Sequence, residues 1–151
     1  MATRTLILGY GNPGRQDDGL GQAAAEAIAR LQLPGVRIIT SFSLNIEHAA
    51  DAAEHDAIVF IDAASTGPEP FTISDVTPCD HFEFTSHLVT PAAILALSKR
   101  LYGRLPAACM IAIGGYEFDI GDGLTTRASA NLEQAVAYLR VRLTSANYFD
   151  G

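Results

Sequence analysis

The chain has 151 residues, 48% of them hydrophobic and 18% charged, and its 17 acidic against 10 basic side chains give a formal net charge of −7. That composition excludes a disordered chain, and the length suits one domain spanning residues 1–151 around a core of reasonable size. The acidic balance disfavours nucleic acid as a partner, because grip on a phosphate backbone comes from Lys and Arg. Apolar runs such as Ile58–Ile61 and Met110–Ile113 fall far short of the roughly 18 residues that a bilayer demands, so no membrane partner is expected. Cys79 and Cys109 lie far apart without a CxxC spacing, which suggests neither a disulfide framework nor a zinc ribbon. Cys109, inside an apolar run, reads as a small buried hydrophobe. Met1 to Thr5 lead directly into a strand-like segment without the pattern of a secretory signal, so a cytoplasmic protein is expected.

Leu6-Ile7-Leu8 is a short apolar run that stops at Gly9. From Leu20 the apolar positions take helical spacing through Ala23, Ala24, Ala27, Ile28 and Leu31. Pro34-Gly35 breaks that helix, and Val36 to Ile39 reads as a second strand. Leu44 to about Glu54 is Ala-rich and helical in character, with a weak stripe. Ala57 to Ile61 is a continuous β-rich run that ends at a charge, Asp62. A strand apolar on both faces suits the centre of a parallel sheet covered by helices on each side. Phe71-Thr72-Ile73 reads as a short strand, and Pro78 to Val89 as a loop. Thr90-Pro91 starts a helix with an N-cap and a proline at the first position, and Gly103 ends it. Ala107 to Ile113 is another buried strand, closed by Gly114-Gly115, and a last helix runs from Thr126 to Leu143 on a stripe of Leu132, Val136, Leu139 and Leu143. The alternation predicts a three-layer α/β domain.

In such a sheet, chemistry gathers beyond the carboxyl ends of the strands. Gly9, Gly11 and Gly14 spell GxGxxG after the first strand, but a dinucleotide fingerprint needs an acidic residue after the second strand, where Ile39-Thr40-Ser41 stands. Asp17 and Asp18 would also repel a pyrophosphate at the helix start, so no organic cofactor is expected. One of the two, Asp17, suits a helix-capping role. A second aspartate in a glycine-rich loop exceeds what a cap requires, and the helix dipole keeps it ionised. Asp62, at the end of an apolar strand, either caps a turn or serves a site. His87 adds an imidazole from a third strand-end loop. Asp18, Asp62 and His87 together offer two oxygens and one nitrogen with positions left open, the pattern of a working transition-metal site. Asp80, His81 and Glu83 share the loop of His87, and Glu117 follows the last strand. The polar cluster reads by default as a solvated loop. His48 and His55 receive no role.

Leu8 to Asn12 followed by Asp17-Asp18-Gly19-Leu20-Gly21 resembles the opening motif of the nickel–iron hydrogenase maturation endopeptidases. Asp62 within Phe60-Ile61-Asp62-Ala63, and Ser86-His87 leading into the Thr90-Pro91 helix, match the two further landmarks in order and spacing. The resemblance covers essentially the whole chain. It implies a phosphorylase/hydrolase-like sheet of five mostly parallel strands with one antiparallel edge, flanked by helices. It also implies a metal-dependent, aspartic-type endopeptidase that removes a C-terminal extension from the hydrogenase large-subunit precursor after nickel insertion; a monomer is expected, although the sequence does not set the oligomeric state. The family's metal-contacting positions map to Asp18, Asp62 and His87, and the nickel is supplied by the precursor. Many members carry Glu where this chain has Asp18, and Gly114 to Asp119 departs from the loop of better-known members. Two alternatives stand beside this reading. The same ligands would serve a nickel checkpoint module that binds without cutting. Gly9 to Gly14 also resembles the GLGNPG opening of bacterial peptidyl-tRNA hydrolase, but no histidine occurs before His48 and the acidic charge suits tRNA poorly.

Overall fold

The computed structural model describes residues 3–79 and 89–145. Strands β1 (Thr5–Tyr10), β2 (Val36–Ser41), β3 (Ala57–Ala64), β4 (Phe71–Asp75) and β5 (Ala107–Gly114) form one sheet in the order β2-β1-β3-β5-β4. The first three and β5 pair in parallel, and β4 is an antiparallel edge strand against β5, as the resemblance implies. Helices α1 (Leu20–Ala29) and α4 (Thr126–Thr144) cover one face, and α2 (His48–Ala53) and α3 (Pro91–Tyr102) cover the other.

The two-residue period of the central strands divides the core cleanly. Ile7, Val59, Ile61, Ile111 and Ile113 pack with Leu20, Ala24, Ile28 and Leu139, while Leu6, Leu8, Ile58 and Phe60 pack with Ala52, Ile94 and Leu95. Both faces of β1 and β3 are therefore dry, which is why their sequences read as unbroken apolar runs.

The N-terminal half of α1 lies directly on the strand ends. A Cβ on Gly21 would collide with the carbonyl oxygens of Tyr10 and Ile61, so only glycine permits this approach. Thr90 caps α3 by accepting from the Ala93 amide at 3.1 Å, and Gly103 ends that helix in the left-handed region with φ 69°.

Three expectations need correction. Strand β1 continues through Gly9 to Tyr10, because Gly9 and Tyr10 keep their pairing with Thr40 and Ser41 of β2. Strand β3 runs past Asp62 to Ala64, held by β5 through Asp62↔Ala112 and Ala64↔Gly114. Helix α2 spans only His48–Ala53, where Ala49, Ala52 and Ala53 are buried. Of the loop expected from Pro78 to Val89, residues 80–88 lie outside the described residues.

Candidate active site at the sheet switch point

From β1 the chain crosses to β2 on one side, then returns to β3 on the other. The crevice at the carboxyl ends of β1 and β3 is thus the point where strand order reverses, the usual location of a site in an open α/β sheet. The β1 exit carries Asp18, and the end of β3 carries Asp62.

Asp18 is fixed by the loop that precedes it. Gly11 has φ 134°, and a Cβ there would collide with the Asp18 carbonyl oxygen, so the backbone of the 3₁₀ turn Gln16–Gly19 sits against Gly11. The Asn12 amide donates to Asp18 Oδ2 at 2.8 Å. The Gly14 amide donates to Asn12 Oδ1 at 2.9 Å, and the Gly11 amide to the Ser41 carbonyl at 3.0 Å. The amides that a phosphate-cradling loop would leave open are spent within the protein. Gln22 reinforces the loop from α1, donating to the carbonyls of Gly11 at 2.7 Å and Ser41 at 3.0 Å.

Asp62 is partly buried at the β3 end, where its Oδ1 accepts from the Ala63 amide at 2.8 Å. Burial pushes its pKa up from 3.8 to about 6, and the negative charge of Asp18 pushes the same way. The Ala63 amide and the Tyr10 hydroxyl hold back part of that rise. Tyr10 in turn is pushed above its ordinary 10.0, first by burial and then by the Asp62 charge. Two carboxylates, one from the turn after β1 and one from the last residues of β3, therefore share one field.

His87 lies outside the described residues, as do Asp80, His81 and Glu83. Among the described residues, no three His, Cys, Asp or Glu side chains gather as a metal site. The described part of the expected triad is the pair Asp18 and Asp62, two hard oxygen donors that suit a divalent transition ion once a third ligand is added.

Asp17 is not a cap of its own helix. It is fully buried, and its carboxylate accepts from the amides of Tyr116 at 2.8 Å, Glu117 at 3.1 Å and Thr125 at 2.8 Å, and from the Thr125 hydroxyl at 2.9 Å. It staples the loop after β5, and the start of α4, to the loop that carries Asp18. The Glu117 side chain is exposed. His48 and His55 are buried and locally satisfied, His48 accepting from the Asn45 amide and the His55 ring meeting the Asp51 carbonyl. Tyr10 and Gln22 are the neighbours of the site that sequence reasoning missed. Tyr10 shares with Asp62 an even position on adjacent parallel strands, one step beyond the Gly9↔Ile61 pair, a signal that appears only once those strands are paired.

The sequence matches no family model and no curated protein. The fold is that of the NiFe hydrogenase maturation proteases. HycI of that class from Thermococcus kodakarensis superposes with a TM-score of 0.75 at 21% identity, covering 95% of this chain and 94% of its own. HybD from the same organism gives 0.67 at 25% identity, covering 91% and 97%. The hydrogenase maturating endopeptidase HybD from E. coli gives 0.66 at 24% identity, covering 91% and 93%. No helix among the described residues is long and apolar enough to cross a membrane.

Proposed function

We propose that this chain is an endopeptidase that removes the C-terminal extension of a NiFe hydrogenase large-subunit precursor after nickel insertion. Asp18, Asp62 and His87 meet the nickel that the precursor carries, so the metal arrives as part of the substrate. The reading is supported by the placement of Asp18 and Asp62 at the switch point, near enough for the charge of one to raise the pKa of the other, in a fold shared with structures named as maturation proteases. Two mutually repelling carboxylates, one of them partly desolvated, are costly for a fold and useful to a cation.

In this reading the two carboxylates and His87 complete the coordination of the incoming ion, which fixes the scissile bond beside the crevice. Holding the bond near an attacking water is worth roughly 7–11 kcal/mol of barrier when the geometry is good, so positioning supplies much of the catalysis. Asp62, ionised above about pH 6, has the free lone pairs that such a contact requires.

The test mixes the protein with nickel-loaded and nickel-free precursor and follows the mass of the large subunit. Loss of a C-terminal peptide from the nickel-loaded form alone, abolished by His87→Ala, is the expected result. Stable binding without a mass change would replace the peptidase with a checkpoint module. Cleavage that His87→Ala leaves intact would remove His87 from the site.

A further inference from the structure

We propose that a small pocket beside the Asp18 loop takes a basic side chain of the precursor, an arginine or lysine whose stem lies on apolar walls and whose head meets Glu26. The occupant rests on the endopeptidase reading. Neither Asp18 nor Asp62 lines this pocket, so it is separate from the crevice. Pro13 and Gln16 of the loop form one wall, Gln22, Ala23 and Glu26 of α1 a second, and Leu124 before α4 a third. The α1 positions are those left over when Leu20, Ala24, Ala25 and Ile28 are buried. The cavity of about 150 Å³ is well below the roughly 300 Å³ at which cofactor-sized sites begin. It is close to a space that holds benzene, so it has room for one side chain.

Glu26 is the charged residue of this lining, and among the described residues its carboxylate enters no ion pair. Gln22 has spent Nε2 on the carbonyls of Gly11 and Ser41, which leaves Oε1 as an acceptor. Gln16 brings a second amide, from a backbone held at φ 51°, a conformation uncommon outside glycine. Pairing with the loop after β5 imposes it: the Gln16 amide donates to the Gly121 carbonyl, and the Gly121 amide to the Gly14 carbonyl, both at 3.0 Å. Strain of this kind collects where a loop is shaped for a ligand. A carboxylate and amide oxygens above carbon walls suit a cation on an aliphatic stem. An anion would be repelled by Glu26, and an apolar side chain would leave the acceptors unmet. Asp18 belongs to the same turn as Gln16, so a partner that brings a metal to Asp18 has its flanking residues beside the pocket.

The experiment titrates the protein with n-butylguanidinium, which carries the arginine head group, and with n-butylurea, its uncharged analogue. The readout is the side-chain amide resonances of Gln16 and Gln22. The guanidinium is expected to move both saturably, with a Kd of about 10 mM, and the urea to move neither. Glu26→Gln is expected to weaken guanidinium binding about tenfold. With nickel-loaded precursor the same variant should raise KM about fivefold and keep kcat within about twofold, because the contact is made equally in the ground and transition states. Glu26 is exposed, so the variant should unfold at the parent temperature. Resonances unmoved by the guanidinium, an equal response to the urea, or a KM unaltered by Glu26→Gln would each overturn the assignment. If the parent itself leaves nickel-loaded precursor uncut, the endopeptidase reading falls, while a guanidinium response lost in Glu26→Gln upholds the pocket as a site for a basic side chain on its own.

Discussion

Asp17 and Asp18 are neighbours in sequence and opposites in environment. Asp17 is fully buried and receives four hydrogen bonds from the loop after β5 and the start of α4. Asp18 is partly exposed, accepts from the Asn12 amide, and lies near enough to Asp62 for its charge to raise that group's pKa. A carboxylate wrapped in donors holds a fold together, whereas two that repel each other with few donors make the fold less stable and leave lone pairs for a ligand. The lesson is that one acidic pair divides the labour: the first residue builds the loop on which the second is displayed.

The largest expected effect strikes the structural member. Asp17→Ala leaves three partly buried amides and a hydroxyl without their acceptor, and hydrogen bonds to a charged group contribute about 1.5–3 kcal/mol each. Because solvent and neighbours recover part of that sum, a net loss of about 4 kcal/mol is expected in urea unfolding. Asp18→Ala should stay within about 1 kcal/mol of the parent while abolishing precursor cleavage. Equal stability losses in the two variants would break the contrast.

The opposite sign is expected at Asp62. Its folded pKa of about 6 lies above the ordinary 3.8, so the folded state holds its proton longer than the unfolded chain does. Both states are protonated below about pH 3.8, and the carboxylate costs nothing there. As pH rises through that value the unfolded chain ionises first, and stability falls until the folded group has also ionised, near pH 6. At about 1.36 kcal/mol per pH unit, the deficit above that point is about 2 kcal/mol for a group still partly open to solvent. Asp62→Asn, which carries no charge, should therefore raise stability by about 2 kcal/mol at pH 7.5 and by nothing at pH 3.5. It should also weaken binding of added nickel or cadmium at neutral pH. A gain of the same size at both pH values would assign the effect to packing instead of charge.

These contrasts also mark how far the sequence could be read. The α3 boundaries were legible because their signals are local: Thr90 and Pro91 at one end and Gly103 at the other settle the matter within a few residues. The α/β alternation, and the apolar character of β1 and β3, followed from the dry faces of a central sheet. The length of β3 was not legible, because the charge of Asp62 looks like an ending until β5 pairs with Asp62 and Ala64. The role of Asp17 was hidden for the same reason, its partners being 99, 100 and 108 residues away. The site was half legible: Asp18 and Asp62 stood out as charges at strand ends, but the nearness of Tyr10 to Asp62 follows only from the register of β1 on β3.

The smallest effect sharpens the account of Asp17. Thr90 and Thr125 are both N-caps, accepting from Ala93 at 3.1 Å and from Ala128 at 3.2 Å. Only the Thr125 hydroxyl also donates its proton to Asp17, at 2.9 Å. Thr→Val keeps the shape and removes the hydroxyl, so Thr90→Val should cost about 1 kcal/mol, the usual worth of a cap. Thr125→Val should cost about 2 kcal/mol, because it also takes one donor from a buried carboxylate. In the Asp17→Ala background that excess should vanish, leaving the two caps equal in a double-mutant cycle read by urea unfolding. An excess that persists without Asp17 would mean that the start of α4 is held by something other than this carboxylate, and the staple between the two loops would then be weaker than its four hydrogen bonds suggest.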